Sequence, residues 1–249
     1  MNRIRQEKIK EFIESKSVAT IKEIKELIPE VSLMTVHRDL DVLEAQGIIE
    51  KYRGGVRSVR HPGDIEFNVR MRENNKGKHL IAQKALKLIQ PYSSIFLDAS
   101  TSNLFLARNM PDINVNIITT GPGIALELSR HHNPVVTVCC GILNRKNLAI
   151  SGQNTLEMLN KINIDTAFIG VSGCSGNVGF TCGTEADMLI KRMVIKKARS
   201  SVMMCGAEKL NRLMPYTFAT LEDVDYIVSD EVLNEDFTKM AQNAGVTIL

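Results

Sequence analysis

The sequence predicts an α/β protein built from two parts: a small helical domain that ends in a β-hairpin, and a larger, mostly parallel sheet covered by helices. Two observations lead to this prediction. Apolar residues recur at helical spacing up to about residue 57, and short apolar strands alternate with helical stretches from residue 76 onward. Such alternation is typical of parallel sheets, because parallel strands need long crossover connections. We therefore expect domains at residues 1–57 and 76–249, joined by a linker at residues 58–75.

The composition excludes several classes of protein. With 44% hydrophobic and 24% charged residues, the chain resembles an ordinary globular protein. No stretch approaches the roughly 18 apolar residues of a membrane span, so we expect no membrane partner. Residues 1–8 are charged and lack the apolar core of a signal peptide, which favours a cytoplasmic location. The five cysteines form no CxxC pair and have no histidine at ligand spacing. We therefore expect reduced thiols, no metal site and no cofactor.

Three helices and a hairpin make up the predicted N-terminal domain. The first two helices are amphipathic, and Thr20 and Glu23 are spaced as a capping box at the start of the second. The third helix begins after Ser32, a favourable N-cap, and ends near Gly47. Residues 48–57, which include a pair of glycines, form the predicted hairpin.

The larger domain has seven predicted strands, with helical stretches between most of them. The strands are residues 95–97, 115–118, 135–138, 166–169, 201–204, 226–228 and 246–248. In the linker, Ile65, Phe67 and Val69 occupy alternate positions, which predicts one more short strand.

The third helix and the hairpin have the features of a DNA-binding surface. The helix begins with short polar side chains and an arginine, and from Lys51 to Arg60 there are four basic residues and no acidic one. In a winged helix-turn-helix, the first turns of such a helix enter the major groove. The basic wing meets the DNA backbone or, through Arg57, the minor groove. Many small helical domains bind protein instead, so that alternative stays open here. The predicted DNA-binding residues are Ser32, Met34, Thr35, His37, Arg38, Lys51, Tyr52, Arg53 and Arg57.

Polar loops follow several predicted strands of the larger domain. Asp98 ends the first strand, and hydroxyl residues then open a helix, where backbone N–H groups and hydroxyls can donate to a phosphate. Hydroxyls at a helix start are also common as simple caps. Thr119 ends the next strand and Lys209 follows a later one, at the edge where open α/β sheets bind ligands. The predicted ligand-binding residues are Asp98, Ser100, Thr101, Ser102, Thr119, Thr120, Gly141 and Lys209.

The third helix and the hairpin also match a known pattern residue by residue. The helix reads Ser32-x-x-Thr35-Val36-His37-Arg38-Asp39-Leu40, and the hairpin contains Gly54-Gly55. This pattern resembles the signature of the DeoR family of bacterial transcriptional regulators, Ser-x-x-Thr-Ile-Arg-Arg-Asp-Leu with a downstream Gly-Gly. His37 stands where the family has an arginine. A neutral histidine is a weaker phosphate partner, so either operator recognition differs from that of relatives or the site tolerates His37.

The resemblance extends over nearly the whole larger domain. It implies a sensor domain similar to ribose-phosphate isomerase and related sugar-phosphate enzymes, with a phosphorylated sugar or polyol as effector. Ala99-Ser100 stands where Ala-Gly or Cys-Gly is common, and Ala207-Glu208 stands where Asp-Ser or Ser-Ser is usual. Ser100 adds bulk and a donor, which shifts the shape of the expected ligand. The matching segments are Arg72, Lys78-x-x-Ile81-Ala82, residues 98–102, 165–170 and 179–181, Lys209 and Asp230.

We therefore predict a DNA-binding transcriptional regulator, a repressor of an operon for sugar or polyol metabolism that its effector releases from DNA. Its expected partners are a double-stranded DNA operator, a phosphorylated sugar or polyol, and further copies of itself. A homodimer or homotetramer formed through the α/β half is expected, because symmetric oligomers read paired DNA half-sites.

Two alternatives remain for the larger domain. One is a sugar-phosphate isomerase, which needs a general base. Residues 170–176, after the central strand, contain no carboxylate, and Asp98 and Glu185 are better explained by ligand binding or structure. We therefore expect no catalytic residue and no enzyme. The other alternative is a sensor fold that serves only oligomerisation.

Overall fold

The residues described in this computed structural model are 2–16, 18–46, 48–52, 54–58 and 67–249. The predicted helix end at Gly47 and the predicted DNA contact of Arg53 lie outside these ranges, as does Ile65 of the predicted linker strand. The chain divides into two units, Met1–Gly63 and Asp64–Leu249. Every helix in the described ranges is too short or too polar to cross a bilayer.

The described part of the N-terminal unit contains three helices and a three-stranded antiparallel sheet of order β1-β3-β2. The predicted helices and hairpin are confirmed. Strand β1 was not predicted, because a three-residue strand between two helices is too short for an alternating pattern. The elements are α1 (Asn2–Lys16), β1 (Val18–Thr20), α2 (Ile21–Leu27), α3 (Leu33–Ala45), β2 (Ile49–Tyr52) and β3 (Gly55–Ser58).

Both predicted N-caps form. Glu23 N donates to Thr20 Oγ1 at 3.2 Å and Thr20 N donates to Glu23 Oε2 at 2.8 Å, which completes the capping box of α2. At the start of α3, Thr35 N donates to Ser32 Oγ at 3.2 Å. These bonds satisfy backbone donors that have no partner inside the helix, so the sequence fixes where both helices begin.

Helix α3 is held against α1 by its apolar face and by one buried carboxylate. Asp39 is 3% exposed. Arg5 donates to its two oxygens, at 2.5 Å through Nε and 3.1 Å through a terminal nitrogen, and Gln6 donates at 3.0 Å. A buried charge is tolerated only when paired in this way. The Asp of the family-like signature therefore orients the third helix and does not face solvent.

The C-terminal unit contains a seven-stranded sheet of order β15-β14-β12-β9-β4-β5-β6, in which all neighbouring strands are parallel. All seven predicted strands are confirmed and belong to this sheet. The strands of the unit are β4 (Ser94–Leu97), β5 (Asn116–Thr119), β6 (Val135–Val138), β7 (Ile142–Asn144), β8 (Ala149–Ser151), β9 (Ile164–Gly170), β10 (Gly173–Ser175), β11 (Gly179–Cys182), β12 (Ala198–Met204), β13 (Tyr216–Ala219), β14 (Tyr226–Val228) and β15 (Thr247–Ile248).

Helices cover both faces of the sheet. One apolar cluster joins the sheet to α5, α6 and α7, and the other joins it to α8, α9 and α10. The second face also carries a three-stranded antiparallel sheet of order β10-β11-β13, which was not predicted because its strands are only three or four residues long. The helices are α4 (Phe67–Arg72), α5 (Asn75–Leu86), α6 (Thr101–Asn109), α7 (Pro122–Leu128), α8 (Gln153–Asn160), α9 (Glu185–Lys197) and α10 (Glu235–Asn243).

The strand predicted in the linker is wrong where it can be checked, because Phe67 and Val69 lie in helix α4. Phe67 and Met71 both pack against the core of the C-terminal unit. Their i, i+4 spacing puts them on one side of a helix. The sequence interpretation missed this spacing because Ile65, Phe67 and Val69 also alternate as in a strand. The backbone N of Phe67 also donates to Lys146 O at 2.8 Å, so α4 is fixed at both its core face and its first residue.

All five cysteines are free thiols. Cys139, Cys174, Cys182 and Cys205 are buried, whereas Cys140 is exposed. Burial explains most of these residues as small apolar side chains. In the described ranges, no group of three or more His, Cys, Asp or Glu residues is arranged to hold a metal ion.

Candidate functional site

The first candidate site is the surface formed by the first turns of α3. Met34 is 71% exposed and Arg38 is also exposed, whereas Thr35 and His37 are half-buried. Ser32 is exposed but its hydroxyl takes part in the cap, within 3.0 Å of Thr35 Oγ1. Arg38 forms no ion pair with any described residue. The helix therefore presents one unpaired cation beside small polar groups, as a helix that enters a DNA groove requires.

The hairpin that follows α3 gives less support to its predicted DNA-binding residues. Lys51 is exposed in part, but its ammonium pairs with Asp41 and lies 3.7 Å from Glu44 Oε2. Asp41 is the main cause of a raised Lys51 pKa. A DNA phosphate would have to compete with these two carboxylates, so Lys51 is a weaker contact than the sequence suggested. Arg57 lies on β3, and its side chain is outside the described part of the structure.

The structure explains the two glycines of the hairpin in different ways. Gly54 has φ of +99°, a conformation that favours glycine. A Cβ on Gly55 would lie 2.7 Å from the hydroxyl oxygen of Tyr52 and 2.6 Å from Ala19 O. Tyr52 therefore lies over Gly55 while its side chain stays 47% exposed.

The second candidate site is a cleft at the carboxyl ends of β4, β9 and β12. Open α/β sheets bind ligands at this edge. Four segments contribute side chains or backbone to the cleft: the loop after β4, residues 170–172 at the end of β9, residues 204–209 at the end of β12, and residues 70–78 from α4 to α5. Five predicted ligand-binding residues line it: Asp98, Ser100, Thr101, Ser102 and Lys209.

Asp98 orients the floor of this cleft. Its carboxylate is 3% exposed and accepts hydrogen bonds from Gly170 N at 2.9 Å, Asn103 Nδ2 at 2.8 Å and Ser100 N at 3.1 Å. Lys191 Nζ lies 3.4 Å away as its counter-ion. These donors use most of the lone pairs of the carboxylate, so Asp98 mainly holds β4, β9 and α6 together.

Lys191 is a cleft residue that the sequence did not reveal. It is 3% exposed, lies 3.0 Å from Asp187 and donates to Gly170 O at 2.7 Å. Burial would lower its pKa, but the attraction of Asp187 and Asp98 outweighs burial and raises it, so Lys191 stays charged. A lysine on an amphipathic helix normally faces solvent. Its position between the buried Ile190 and Val194 is the signal that could have placed it inward.

The start of α6 offers unpaired donors to the cleft. Ser100 is the N-cap, and its Oγ accepts from Asn103 N at 3.2 Å. The backbone N–H groups of Thr101 and Ser102, the first two helical residues, have no partner among the described residues, as expected at a helix N-terminus. A Cβ on Gly170 would lie 2.2 Å from Ser100 Cβ. The serine that replaces the usual family glycine is therefore accommodated because β9 ends in glycine.

Basic side chains surround these donors. Lys209 is 19% exposed and lies 3.4 Å from Glu208. Lys78 donates to the backbone carbonyls of Arg70 and Glu73, and its pKa is lowered by burial and then by the charge of Lys209. Arg212 also lines the cleft and forms no ion pair within the described structure. Lys78 and Lys209 thus repel each other, and an anion between them would offset that repulsion. Four carboxylates line the same cleft: Glu73, Asp98, Asp187 and Glu208.

The other three predicted ligand-binding residues do not reach this cleft. Thr119 is fully buried, and its hydroxyl donates to Leu97 O at 2.8 Å and accepts from Gly121 N at 2.9 Å. Thr120 lines an adjoining cavity, which shares Asn147, Ala149 and Asp187 with the cleft. Gly141 lies near Thr155, whose Oγ1 would be 2.3 Å from an added Cβ. A strand end can be predicted from sequence, but the direction of each side chain at that end cannot.

Comparison with protein-family models matches both units. Residues 5–61 match the DeoR-like helix-turn-helix domain, and residues 73–231 match the DeoR C terminal sensor domain. The second match alone covers more than half of the chain. The chain belongs to the DeoR family of transcriptional regulators. The resemblance predicted from α3 and from the loop after β4 is thereby confirmed.

Curated relatives align with most of the chain. The HTH-type transcriptional regulator GlpR of Haloferax volcanii is 30% identical over 220 residues, 88% of this chain and 86% of GlpR. The HTH-type transcriptional repressor GlcR of Bacillus subtilis is 28% identical, and the alignment covers 97% of this chain and 93% of GlcR. The L-fucose operon activator of Escherichia coli is 28% identical, and the alignment covers 93% of this chain and 96% of the activator. These relatives are regulators, so the prediction of a regulator and not an enzyme is confirmed.

Solved structures show more distant likenesses. Ribose 5-phosphate isomerase A from Methanocaldococcus jannaschii is 18% identical with a TM-score of 0.39, over 53% of each chain. The eIF2B beta subunit from Chaetomium thermophilum is 10% identical with a TM-score of 0.44, over 85% of this chain and 60% of that one. Likenesses this low carry no argument about ligand or activity.

The close approach of Gly170 to Ser100 gives a testable prediction. In Gly170→Ala, the new Cβ would lie 2.2 Å from Ser100 Cβ, so β9 or the start of α6 must shift. Overpacking of this kind costs about 1–3 kcal/mol. We expect the midpoint of thermal unfolding of the full chain, measured by differential scanning calorimetry, to fall by about 2–12 °C.

A second substitution in the same chain provides the control. Ser100→Gly removes the clashing atom and should restore most of the lost stability in Gly170→Ala, because glycine is only slightly weaker than serine as an N-cap. Ser100→Gly alone measures the cost of the lost cap. A Gly170→Ala variant that unfolds at the wild-type midpoint would contradict the packing, as would a double variant without any recovery.

Proposed function

We propose that this regulator represses an operon for sugar or polyol metabolism, and that a phosphorylated sugar or polyol bound in the cleft controls its affinity for operator DNA. One observation supports this proposal best. Two backbone N–H groups without a partner, at the start of α6, lie at the same sheet edge as several basic side chains. Helix N-termini and backbone donors of this kind suit a phosphate dianion.

The cleft also offers groups for the rest of such a ligand. The hydroxyls of Thr101 and Ser102 can donate to phosphate oxygens, and Lys209 or Arg212 can supply a counter-charge. Asn74 lines the same cleft and can bond sugar hydroxyl groups. A ligand with an anionic end and several hydroxyls uses both sets of groups, whereas an uncharged sugar leaves the basic residues without a partner.

The direction of regulation rests on the relatives. GlcR is named a repressor, and the L-fucose operon protein is named an activator, so the family contains both kinds. We favour repression, with release by effector, as the family's usual behaviour. Because the regulator acts on operator DNA, we place it in the cytoplasm as a homodimer or homotetramer that reads paired half-sites.

Chain continuity offers a route for coupling. Residues 70–78 line the cleft, and α4, in which they begin, directly follows residues 59–66 of the chain that leads from the helix-turn-helix. A ligand that contacts Arg70 or Lys78 acts on α4 or α5, the first two described helices of the C-terminal unit. Coupling between two sites is typically worth about 1–3 kcal/mol, or 5- to 150-fold in affinity, which is enough to switch a promoter.

Arg38 provides the first test of this function. Arg38→Ala removes the unpaired cation of α3, and a specific base contact is worth about 1–3 kcal/mol. We expect the Kd for a duplex from the regulator's own promoter region to rise at least about tenfold, measured by fluorescence anisotropy at fixed salt. Lys239→Ala, an exposed lysine of α10, is the matched charge control. Equal affinities for wild type and Arg38→Ala would place the DNA-reading surface elsewhere.

Lys209 provides the test of the effector site. Lys209→Ala should bind the same duplex as wild type does, because the residue lies in the C-terminal unit. The concentration of sugar phosphate that releases half of the DNA should rise at least about tenfold, since a charged hydrogen bond contributes about 1.5–3 kcal/mol. Lys239→Ala again controls for net charge. A Lys209→Ala variant that releases DNA at the wild-type effector concentration would show that the phosphate binds away from this cleft.

A further inference from the structure

We propose that Glu208 is an internal anion that competes with the ligand's phosphate for Lys209, and so sets how tightly the cleft binds anions. The inference rests on the proposed function of the cleft and names a residue that determines its specificity. Glu208 is one of the two positions at which the 206–209 segment departs from the family pattern, so the competition would be a property of this chain.

The geometry places the Glu208 carboxylate against Lys209. Its Oε1 lies 3.4 Å from Lys209 Nζ, and both residues line the cleft. Within the described structure, Glu208 is the ion-pair partner of Lys209 and no other carboxylate pairs with it. An ammonium that already has a counter-ion gains less from a second anion, because part of its field is neutralised.

Two further observations place the Glu208 carboxylate at the cleft, although its side chain is partly exposed. Asn74 Nδ2 donates to Glu208 Oε2 at 3.2 Å. A Cβ on Gly206 would lie 2.3 Å from the same oxygen, so the carboxylate occupies the space that a side chain at residue 206 would fill. The lack of a side chain at Gly206 therefore permits the position in which Glu208 meets Lys209.

A phosphate bound to Lys209 would meet this carboxylate directly. Two charges of the same sign repel each other more strongly in a partly enclosed cleft than in bulk water. Either Glu208 swings away when the ligand binds or the ligand binds with that penalty. The Glu208 side chain is 46% exposed, so it has room to turn outward, and a ligand that displaces it gains Lys209 as a full partner.

Removal of the Glu208 charge should leave the surrounding fold in place. Asn74, the N-cap of α5, keeps a hydrogen bond to Asp230 Oδ2 at 2.8 Å and accepts from Gly77 N at 3.1 Å. Asp230 also accepts from Ala207 N at 2.8 Å. These bonds do not depend on Glu208, and a glutamine at residue 208 can still accept from Asn74 through its amide oxygen.

The experiment is isothermal titration of the full chain with inorganic phosphate at constant ionic strength. Glu208→Gln should bind phosphate about two- to fivefold more tightly than wild type, the range expected when a partly exposed charge interaction is changed. Adding Lys209→Ala to Glu208→Gln should abolish that gain. Glu73→Gln is the matched control inside the cleft, because Glu73 lines it without pairing with Lys209 in the described structure. Glu222→Gln is the control on the exposed surface.

The outcomes separate this inference from the proposed function. Equal or weaker phosphate binding by Glu208→Gln overturns the competition, and so does an equal gain in Glu73→Gln, which would reflect net charge alone. Failure of both wild type and Glu208→Gln to bind phosphate overturns it as well. The proposed function fails on a different result, when sugar phosphates neither bind the cleft nor change operator affinity, whatever Glu208 does.

Discussion

The buried carboxylate of Asp98 is the constraint on which the cleft of the C-terminal unit depends. It lies where β4 ends and takes hydrogen bonds from β9 and from α6, while Lys191 of α9 neutralises it. A buried ion pair is costly to break, because loss of one partner leaves an unpaired charge in the interior, at roughly 3–5 kcal/mol. The loop after β4 is therefore fixed from inside the protein, and its outward N–H groups stay available.

A similar device orders the N-terminal unit. Asp39 belongs to the third helix but points inward, where Arg5 and Gln6 of the first helix hold it. The neighbouring residues Arg38 and His37 are turned outward or half outward by the same helix rotation. In both units, a buried acidic residue of a family-like motif acts mainly to orient the candidate binding surface beside it.

The sequence predicted the parallel sheet well because strands buried on both faces appear as short apolar runs, which stand out between amphipathic helices. It predicted both N-caps because capping depends on residues close in the chain. It did not predict Lys191, because the burial of this lysine depends on Asp98, some ninety residues away in the chain. Hydrophobic periodicity is detected only over short windows of sequence. It also misplaced Thr119, because the direction of a side chain at a strand end depends on the neighbouring strand.

Two departures from the family pattern have local explanations in this fold. Ser100 fits because Gly170 approaches it without a Cβ atom, and the serine gains a capping role at α6. Glu208 fits because Gly206 leaves space for its carboxylate. Both substitutions lie beside the donors that would meet an anion, so they bear on which ligand this regulator binds more than on how the chain folds.

The link between the cleft and DNA is tested most directly by a titration of wild-type protein on its own promoter duplex, followed by fluorescence anisotropy at constant salt. Pairs of ligands should be compared, each a sugar or polyol phosphate with its unphosphorylated form. At least one phosphorylated member should weaken operator binding about fivefold or more, while its unphosphorylated partner has no effect at the same concentration. If no phosphorylated ligand changes operator affinity, or if the two forms act equally, the cleft does not control DNA binding through an anion.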